Sequence, residues 1–199
     1  IRPGERQPVN YFVETQGKQD GMNQAFYAVR ECEDDICFTS DRGRIWCYQK
    51  KSGEFRLHEL PTKARITSIH AVGNDNTVVT TDSDGFFLSN LKTNKHIHYS
   101  PVTCKELSDQ PILSAYVDRT SEVWFEQEEP GVVVHFNPAT GVVKREQMRV
   151  EYSNADRSRP AFHIHEDIHG HVWVHPYGGG FSYFDRERNC LVPFYDDLG

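Results

Sequence analysis

The sequence predicts an all-β fold, made of about four four-stranded β-propeller blades that form part of a larger propeller. The first observation is a repeated pattern whose copies start near positions 31, 72, 118 and 167, which are 41, 46 and 49 residues apart. The second is the composition, because 12% of the residues are aromatic and such residues favour strands. The third is that no segment shows the periodicity of an amphipathic helix.

The repeated pattern is clearest in its fourth copy, where an acidic turn leads into a strand and a glycine run precedes an aromatic strand. The turn and strand cover residues 167–174, and the glycines and aromatic strand cover 178–185. The third copy keeps this order from Asp118 onward, and the first two copies are more degenerate. A period of about 40–50 residues with several short strands is typical of propeller blades.

The predicted first strand of each repeat carries small or apolar residues three positions apart, just before the turn. These pairs are Ile66 and Ile69, Ile112 and Ala115, and Ala161 and Ile164. A spacing of three also suits a helix, but the β-branched neighbours and the nearby turn favour a strand.

The predicted second strand has consecutive apolar residues, as in 123–125 and 172–174. Such a strand is buried on both faces, which a blade between two other blades requires. Four residue pairs suit hairpin turns before the outer strand. They are Ser52-Gly53, Asn94-Lys95, Thr140-Gly141 and Arg188-Asn189.

The domain organisation follows from these repeats. Residues 1–10 are polar, contain two prolines and are predicted to be a linker or edge segment. Propeller repeats fill residues 11–199, with blades at about 11–60, 61–100, 101–152 and 153–199. Because four blades in an open array would expose sheet edges, we expect this chain to be a fragment whose edges are covered by another chain or by further blades.

The charge and hydropathy exclude some classes of partner. Lys and Arg number 22 against 29 Asp and Glu, which gives a net charge of −7. This balance argues against nucleic acid or an anionic membrane surface as the main partner. No stretch approaches the ~20 apolar residues that a membrane-spanning helix needs.

The five cysteines form no CxxC pair and fit neither a zinc module nor a dense disulfide scaffold. Cys32 and Cys37 flank a predicted turn and could pair with each other. The favoured interpretation is that the cysteines are buried, reduced thiols.

The fourth copy, from Ala161 to Tyr195, resembles the two-component regulator propeller repeat. The third copy keeps the Asp118 and Trp124 of that pattern and departs from it at 128–130, where small residues are usual. Cys37 and Val78 stand where the tryptophan would be in the first two copies. With four copies in register, the resemblance extends from about Phe26 to the end of the chain.

This resemblance implies a part of the extracytoplasmic, periplasmic sensor region of a hybrid two-component histidine kinase and response regulator. It implies ligand recognition, with an oligosaccharide as the candidate ligand, and signalling through dimerisation. The expected protein partners are a second copy or the remaining blades of the same sensor. The parent chain would be membrane-anchored, and its kinase would lie outside this segment, so we expect no cofactor, no nucleic-acid contact and no enzyme activity here.

Five histidines lie between positions 163 and 175, and imidazoles bind zinc and copper. The candidate metal ligands are His163 and His165, which share a strand face, and His171, which lies in the turn. Turn histidines and histidines beside core residues are ordinarily solvated or packed, so the favoured prediction is that no metal site exists.

Exposed aromatic rings could stack on the apolar face of a sugar. The candidate ligand contacts are Trp46, Tyr116 and Tyr177. In contrast, Trp124 and Trp173 are predicted to pack between blades.

Two alternatives to a sensor stay open. Asp118 and Asp167 occupy the same repeat position and are predicted to cap turns, so no catalytic residue is assigned. Some propellers of similar repeat type are lyases, and that function would need a histidine and an acidic residue converging on a metal. The other alternative is a protein-interaction scaffold.

Overall fold

The computed structural model describes residues 26–32, 34–73, 75–129, 131–147, 163–175 and 181–194. This part of the chain contains sixteen strands, β1 to β16 in chain order, in four four-stranded antiparallel sheets. Within each sheet the strands are hydrogen-bonded in chain order, as in the blades of a propeller. The predicted fold class is therefore confirmed, and we call the sheets blades 1 to 4.

The strands of the first two blades are five or six residues long. Blade 1 consists of β1 (Ala28–Cys32), β2 (Asp35–Thr39), β3 (Arg44–Gln49) and β4 (Phe55–Glu59). Blade 2 consists of β5 (Ile66–Ala71), β6 (Asn76–Thr81), β7 (Phe86–Asn90) and β8 (Lys95–Tyr99).

The strands of blade 4 are shorter than those of blade 3. Blade 3 consists of β9 (Ile112–Val117), β10 (Val123–Gln127), β11 (Val132–Asn137) and β12 (Val142–Gln147). Blade 4 consists of β13 (His163–Glu166), β14 (Val172–His175), β15 (Ser182–Asp185) and β16 (Cys190–Pro193). The predicted linker at 1–10 lies outside the described residues, and the predicted blade boundaries stay predictions.

Consecutive blades pack face to face, with a hydrophobic core between each pair. The first strands β1, β5 and β9 contact one another in series, and β13 contacts β10. In β10, Val123 and Phe125 belong to the core shared with blade 2, whereas Trp124 belongs to the core shared with blade 4. All three side chains are fully buried. The predicted burial of this strand on both faces is confirmed.

Two β-bulges explain the three-residue spacing in the first strands. In blade 2, the register between β5 and β6 shifts between Ile66 and Ser68. In blade 3, the register between β9 and β10 shifts where Glu126 and Gln127 pair with Ser114 and Ile112. Each bulge inserts one residue and so breaks the alternation of side chains. As a result, Ile66 and Ile69 enter the same core although they are three positions apart.

The predicted hairpins before the outer strands are present in all four blades. Each turn contains a residue with positive φ: Gly53 at 75°, Asn94 at 55°, Gly141 at 73° and Asn189 at 52°. Glycine and asparagine are the residues that adopt this left-handed conformation most readily. This turn chemistry therefore fixes the register of the outer strand.

The cysteine prediction was wrong. Cys37 forms a disulfide with Cys47, so it neither pairs with Cys32 nor remains a reduced thiol. The two residues are direct register partners across β2 and β3, with their Cα atoms 4.1 Å apart. Their sequence spacing carries no such signal, because the pairing depends on the register of the hairpin. Cys104 and Cys190 are free thiols.

Within the described ranges, no helix is long and apolar enough to cross a membrane.

Candidate functional site

The acidic residue of the repeat joins its turn to a tryptophan. One carboxylate oxygen of Asp118 accepts hydrogen bonds from the backbone amides of Thr120 and Glu122, and the other accepts one from the Trp124 indole at 2.9 Å. In blade 4, Asp167 binds the Trp173 indole at the same distance. The predicted capping role is confirmed, and both carboxylates are fully engaged by the fold.

Charged residues also link blades 3 and 4. Arg186 donates to Asp118 at 2.8 Å, and Arg119 forms an ion pair with Glu166 at 2.7 Å. Burial alone would raise the pKa of Asp118, but the hydrogen bonds from Trp124 and Arg186 outweigh it and hold that pKa below its ordinary value. The hydrogen bond from Trp173 is the largest effect that lowers the pKa of Asp167. Both groups therefore stay ionised, which suits a structural role rather than proton transfer.

The candidate metal ligands do not converge. His163 and His165 are exposed on β13, where His163 is the register partner of His175. His171 lies at the other end of β14 and pairs with Asp167 at 3.0 Å. The described part of the chain contains no group of three or more His, Cys, Asp or Glu residues that could hold a metal ion.

The candidate aromatic contacts differ in accessibility. Trp46 is only 6% exposed, and Tyr116 is partly buried against the core between blades 3 and 4. Tyr177 lies outside the described residues. Of the two described positions, Tyr116 offers a partly accessible ring for stacking on a ligand.

An open cavity lies between blades 1 and 2, and we call it the blade 1–2 cleft. It has a volume of about 420 Å³, within the range of small-molecule sites. Its lining comes from β2, β3, β4 and the adjoining turn on one side, and from the ends of β5 and β6 and the turns of blade 2 on the other. The lining residues are Asp34, Asp35, Cys37, Cys47, Gln49, Arg56, His58, Ala71, Gly73, Asp75, Asn76, Thr77, Leu91 and Lys92.

The corresponding space between blades 3 and 4 is filled with rings. Trp124 and His135 are register partners, and their rings stack at 4.4 Å. Phe184 of blade 4 packs edge-on against Trp124 at 4.9 Å. In blade 1 the equivalent register partners are Cys37 and Cys47. Cys47 corresponds to His135 because each lies two residues before the end of the third strand of its blade.

Blade 2 also lacks the ring that blade 4 supplies. Its Ser89 precedes the last residue of β7, as Phe184 precedes the last residue of β15. Ser89 pairs with Thr77, as Phe184 pairs with Val172. A disulfide and a serine thus occupy the positions of three rings, and the two cysteines line the cleft.

The sequence contained one signal of this site, because Cys37 stands where the repeat calls for tryptophan. It did not indicate Asp35, Arg56 or His58, which reach the cleft only through the alternation of strands β2 and β4.

No family model matches this chain, and no curated protein matches it. Many solved structures are similar to it, which supports the resemblance at the level of the fold. One is the extracellular domain of a candidate hybrid two-component system from B. thetaiotaomicron, with a TM-score of 0.64 and 17% identity over 92% of this chain and 25% of that one. Another is the extracellular domain of a candidate one-component system from the same organism, with a TM-score of 0.66 and 14% identity over 90% of this chain and 23% of that one. This chain therefore spans about a quarter of the length of these proteins.

A third similar structure is virginiamycin B lyase from Staphylococcus aureus. Its TM-score is 0.62, with 16% identity over 85% of this chain and 55% of that chain. At such identities the similarity defines a class of fold, the β-propeller, which hosts many activities.

Proposed function

We propose that this chain is a ligand-recognition part of an extracytoplasmic sensor in a two-component system. The observation that carries the proposal is the fold, which is shared with extracellular domains of such systems and which also contains a concave cleft with charged walls. In the proposed arrangement the chain is periplasmic, the parent chain is anchored in the membrane, and the kinase lies outside this segment. A bound ligand would act by its different affinity for two arrangements of the sensor.

The candidate ligand implied by the sequence resemblance is an oligosaccharide. Of the two described candidate ring contacts, Tyr116 is partly accessible, whereas Trp46 is shielded. The described lining of the blade 1–2 cleft contains no Phe, Tyr or Trp ring. We therefore place oligosaccharide recognition on surfaces other than this cleft.

The test is a thermal-shift measurement of the purified chain against a panel of polysaccharide-derived oligosaccharides, each with and without zinc. A ligand that binds only the folded state raises Tm by mass action. A saturable rise with one class of glycan is the expected result. The absence of a shift with every glycan would argue against oligosaccharide recognition by this chain, and a shift with zinc alone would direct attention to the histidines of blade 4.

The proposed protein partner is a second copy of the chain or further blades of the same sensor. Its contact surface is the face of blade 4 that points away from blade 3. In blade 3 the equivalent of Trp173 is the fully buried Trp124, whereas Trp173 is only half-buried and contacts Tyr183 and the 48% exposed Phe194. Apolar rings on such a face suit another packed blade.

A lyase is the second candidate function, because virginiamycin B lyase shares the fold. Incubation with virginiamycin B, followed by mass spectrometry, tests it directly. We expect no turnover, since the described residues contain no group of three or more His, Cys, Asp or Glu side chains that could hold the metal of such a site. Ring opening that is lost after mutation of the blade 4 histidines would instead establish the enzyme.

A further inference from the structure

We propose that the blade 1–2 cleft binds a small zwitterion, a molecule of amino-acid to dipeptide size that carries one ammonium and one carboxylate group. This inference rests on the proposed function in one respect, namely that the chain recognises small ligands. It goes beyond that function because it assigns a site and a ligand class that are separate from an oligosaccharide.

Two opposite charges in the cleft form no direct ion pair among the described residues, although Asp35 lies near His58 and Lys51, and Arg56 lies near His58. In the part of the chain that the structure describes, neither the Asp35 carboxylate nor the Arg56 guanidinium makes a side-chain hydrogen bond or ion pair, and both line the cleft. The charges at the rim are different, because Asp34 is bound to Lys51 at 2.7 Å. A carboxylate and a guanidinium left open on one cavity are complementary to a ligand that carries both charges.

The equivalent charges of blade 3 are satisfied within the protein. Glu122 lies two residues before Trp124, as Asp35 lies two before Cys37, and it binds His135 at 2.8 Å. Lys144 is the register partner of His135, as Arg56 is of Cys47, and it binds Asn189 at 2.7 Å.

Blade 1 therefore has charged residues at both positions and no ring in the space beside them. In blade 3 the ring supplies a partner for the carboxylate and fills the interface. In blade 1 the smaller cysteines leave room for a separate molecule to take that place.

The strand geometry sets the size of the ligand. Asp35 on β2 and Arg56 on β4 point to the same side of blade 1, on either side of β3. Strands separated by one neighbour are about 10 Å apart, so the two groups do not lie side by side and a ligand must span them. The amides of Gln49 and Asn76 line the same cavity and can bind the middle of such a ligand.

The rest of the lining favours charge recognition over stacking. Burial, followed by the nearby charge of Arg56, lowers the pKa of His58, so this imidazole is neutral at pH 7 and adds no second cation. Lys92 is bound to Asp75 at 2.6 Å. The cleft thus offers one open anion and one open cation, above a floor formed by the disulfide and Leu91.

The test uses ω-amino acids as molecular rulers. Glycine, β-alanine, 4-aminobutyrate and 6-aminohexanoate are titrated into the chain and followed by calorimetry and by saturation-transfer NMR. We expect saturable binding with one preferred chain length, set by the separation of Asp35 and Arg56. The N-acetyl and the methyl ester derivatives of the preferred probe should bind at least about tenfold more weakly, because each lacks one charge.

Matched variants locate the binding. Asp35→Asn and Arg56→Gln should each weaken binding of the preferred probe about tenfold or more, with unchanged circular dichroism. Asp41→Asn and Arg44→Gln make the same chemical changes in blade 1 at positions that do not line the cleft, and should leave binding unchanged.

The inference is overturned if no ω-amino acid binds saturably, if the masked derivatives bind equally well, or if Asp35→Asn and Arg56→Gln leave the affinity unaltered. Failure of these titrations alongside a glycan-dependent rise in Tm would remove this inference and leave the proposed function standing. Failure of both measurements would remove both.

Discussion

Asp118 shows how a single repeat residue holds two blades together. Its carboxylate is buried and binds the indole of Trp124 and the guanidinium of Arg186, which belongs to the next blade. Asp118→Ala would leave both donors without this partner, so we expect a loss of about 3–5 kcal/mol in the free energy of unfolding. Urea denaturation followed by tryptophan fluorescence measures it.

Arg186→Lys serves as the control for this prediction, since it keeps the charge and removes only the fork geometry of the guanidinium. It should cost less than Asp118→Ala. An Asp118→Ala variant as stable as the parent chain would show that the carboxylate does not couple the blades.

His70 predicts a pH dependence of stability. Burial, followed by the nearby charge of Arg30, lowers its pKa to about 4, well below the value of about 6.5 that is ordinary for histidine. The unfolded chain therefore binds a proton at a higher pH than the folded chain does. Stability should be complete above pH 6.5 and fall as the pH drops from 6.5 to 4, by about 2–3 kcal/mol from this residue.

His70→Gln removes the titration and should flatten the curve over this pH range. Urea denaturation at half-unit pH intervals provides the measurement. An unchanged slope in the variant would assign the acid sensitivity to other groups, such as His58 and His96, whose pKa values are also lowered by burial.

At the level of the element, the disulfide stabilises the hairpin of β2 and β3. It joins residues 10 positions apart, and closing a loop of this size restricts the unfolded chain. We expect the Cys37→Ala/Cys47→Ala variant to lose about 2–3 kcal/mol in the free energy of unfolding. Dithiothreitol should lower the stability of the parent chain and have no effect on the variant, and equal sensitivity of the two would contradict the pairing.

The two tryptophans of the repeat should respond differently to truncation. Trp124→Ala removes a fully buried ring from the core between blades 3 and 4, so we expect a loss of about 3–5 kcal/mol. Trp173→Ala removes a half-buried ring on the outer face of blade 4 and should cost no more than about 2 kcal/mol. Equal losses, measured by urea denaturation of the isolated chain, would show that the outer face of blade 4 is already covered.

The strands were predictable from the sequence because each repeat contains its own turn-forming residues. The aspartates before the second strands and the asparagines and glycines of the hairpins act locally, so their roles follow from their immediate neighbours. The disulfide and the cleft were not predictable in this way. The roles of Cys47 and Ser89 depend on their register partners and on the facing blade. Neither the register nor the blade packing can be read from a single sequence.

At the scale of the whole molecule, the outer face of blade 4 predicts self-association. If this face accepts a second copy of the chain, the apparent mass in sedimentation velocity should rise with protein concentration. Trp173→Arg should shift the association to at least tenfold higher concentration, because it places a charge among apolar rings. Val102→Arg provides the control, since Val102 is 94% exposed on the loop that joins blade 2 to blade 3, and the substitution should have no effect.

A monomer at all concentrations would favour further blades over a second copy as the partner of this face. Such a result would redirect the experiment to a longer chain that contains them.

The contacts that dominate between blades join each blade to the next one along the chain. A gene encoding such an array can therefore gain or lose one repeat by duplication or deletion and disturb only the adjoining junctions. A junction can also diverge alone, as the exchange of rings for a disulfide and a serine between blades 1 and 2 illustrates. New specificities can then evolve one junction at a time, while the neighbouring junctions preserve the architecture.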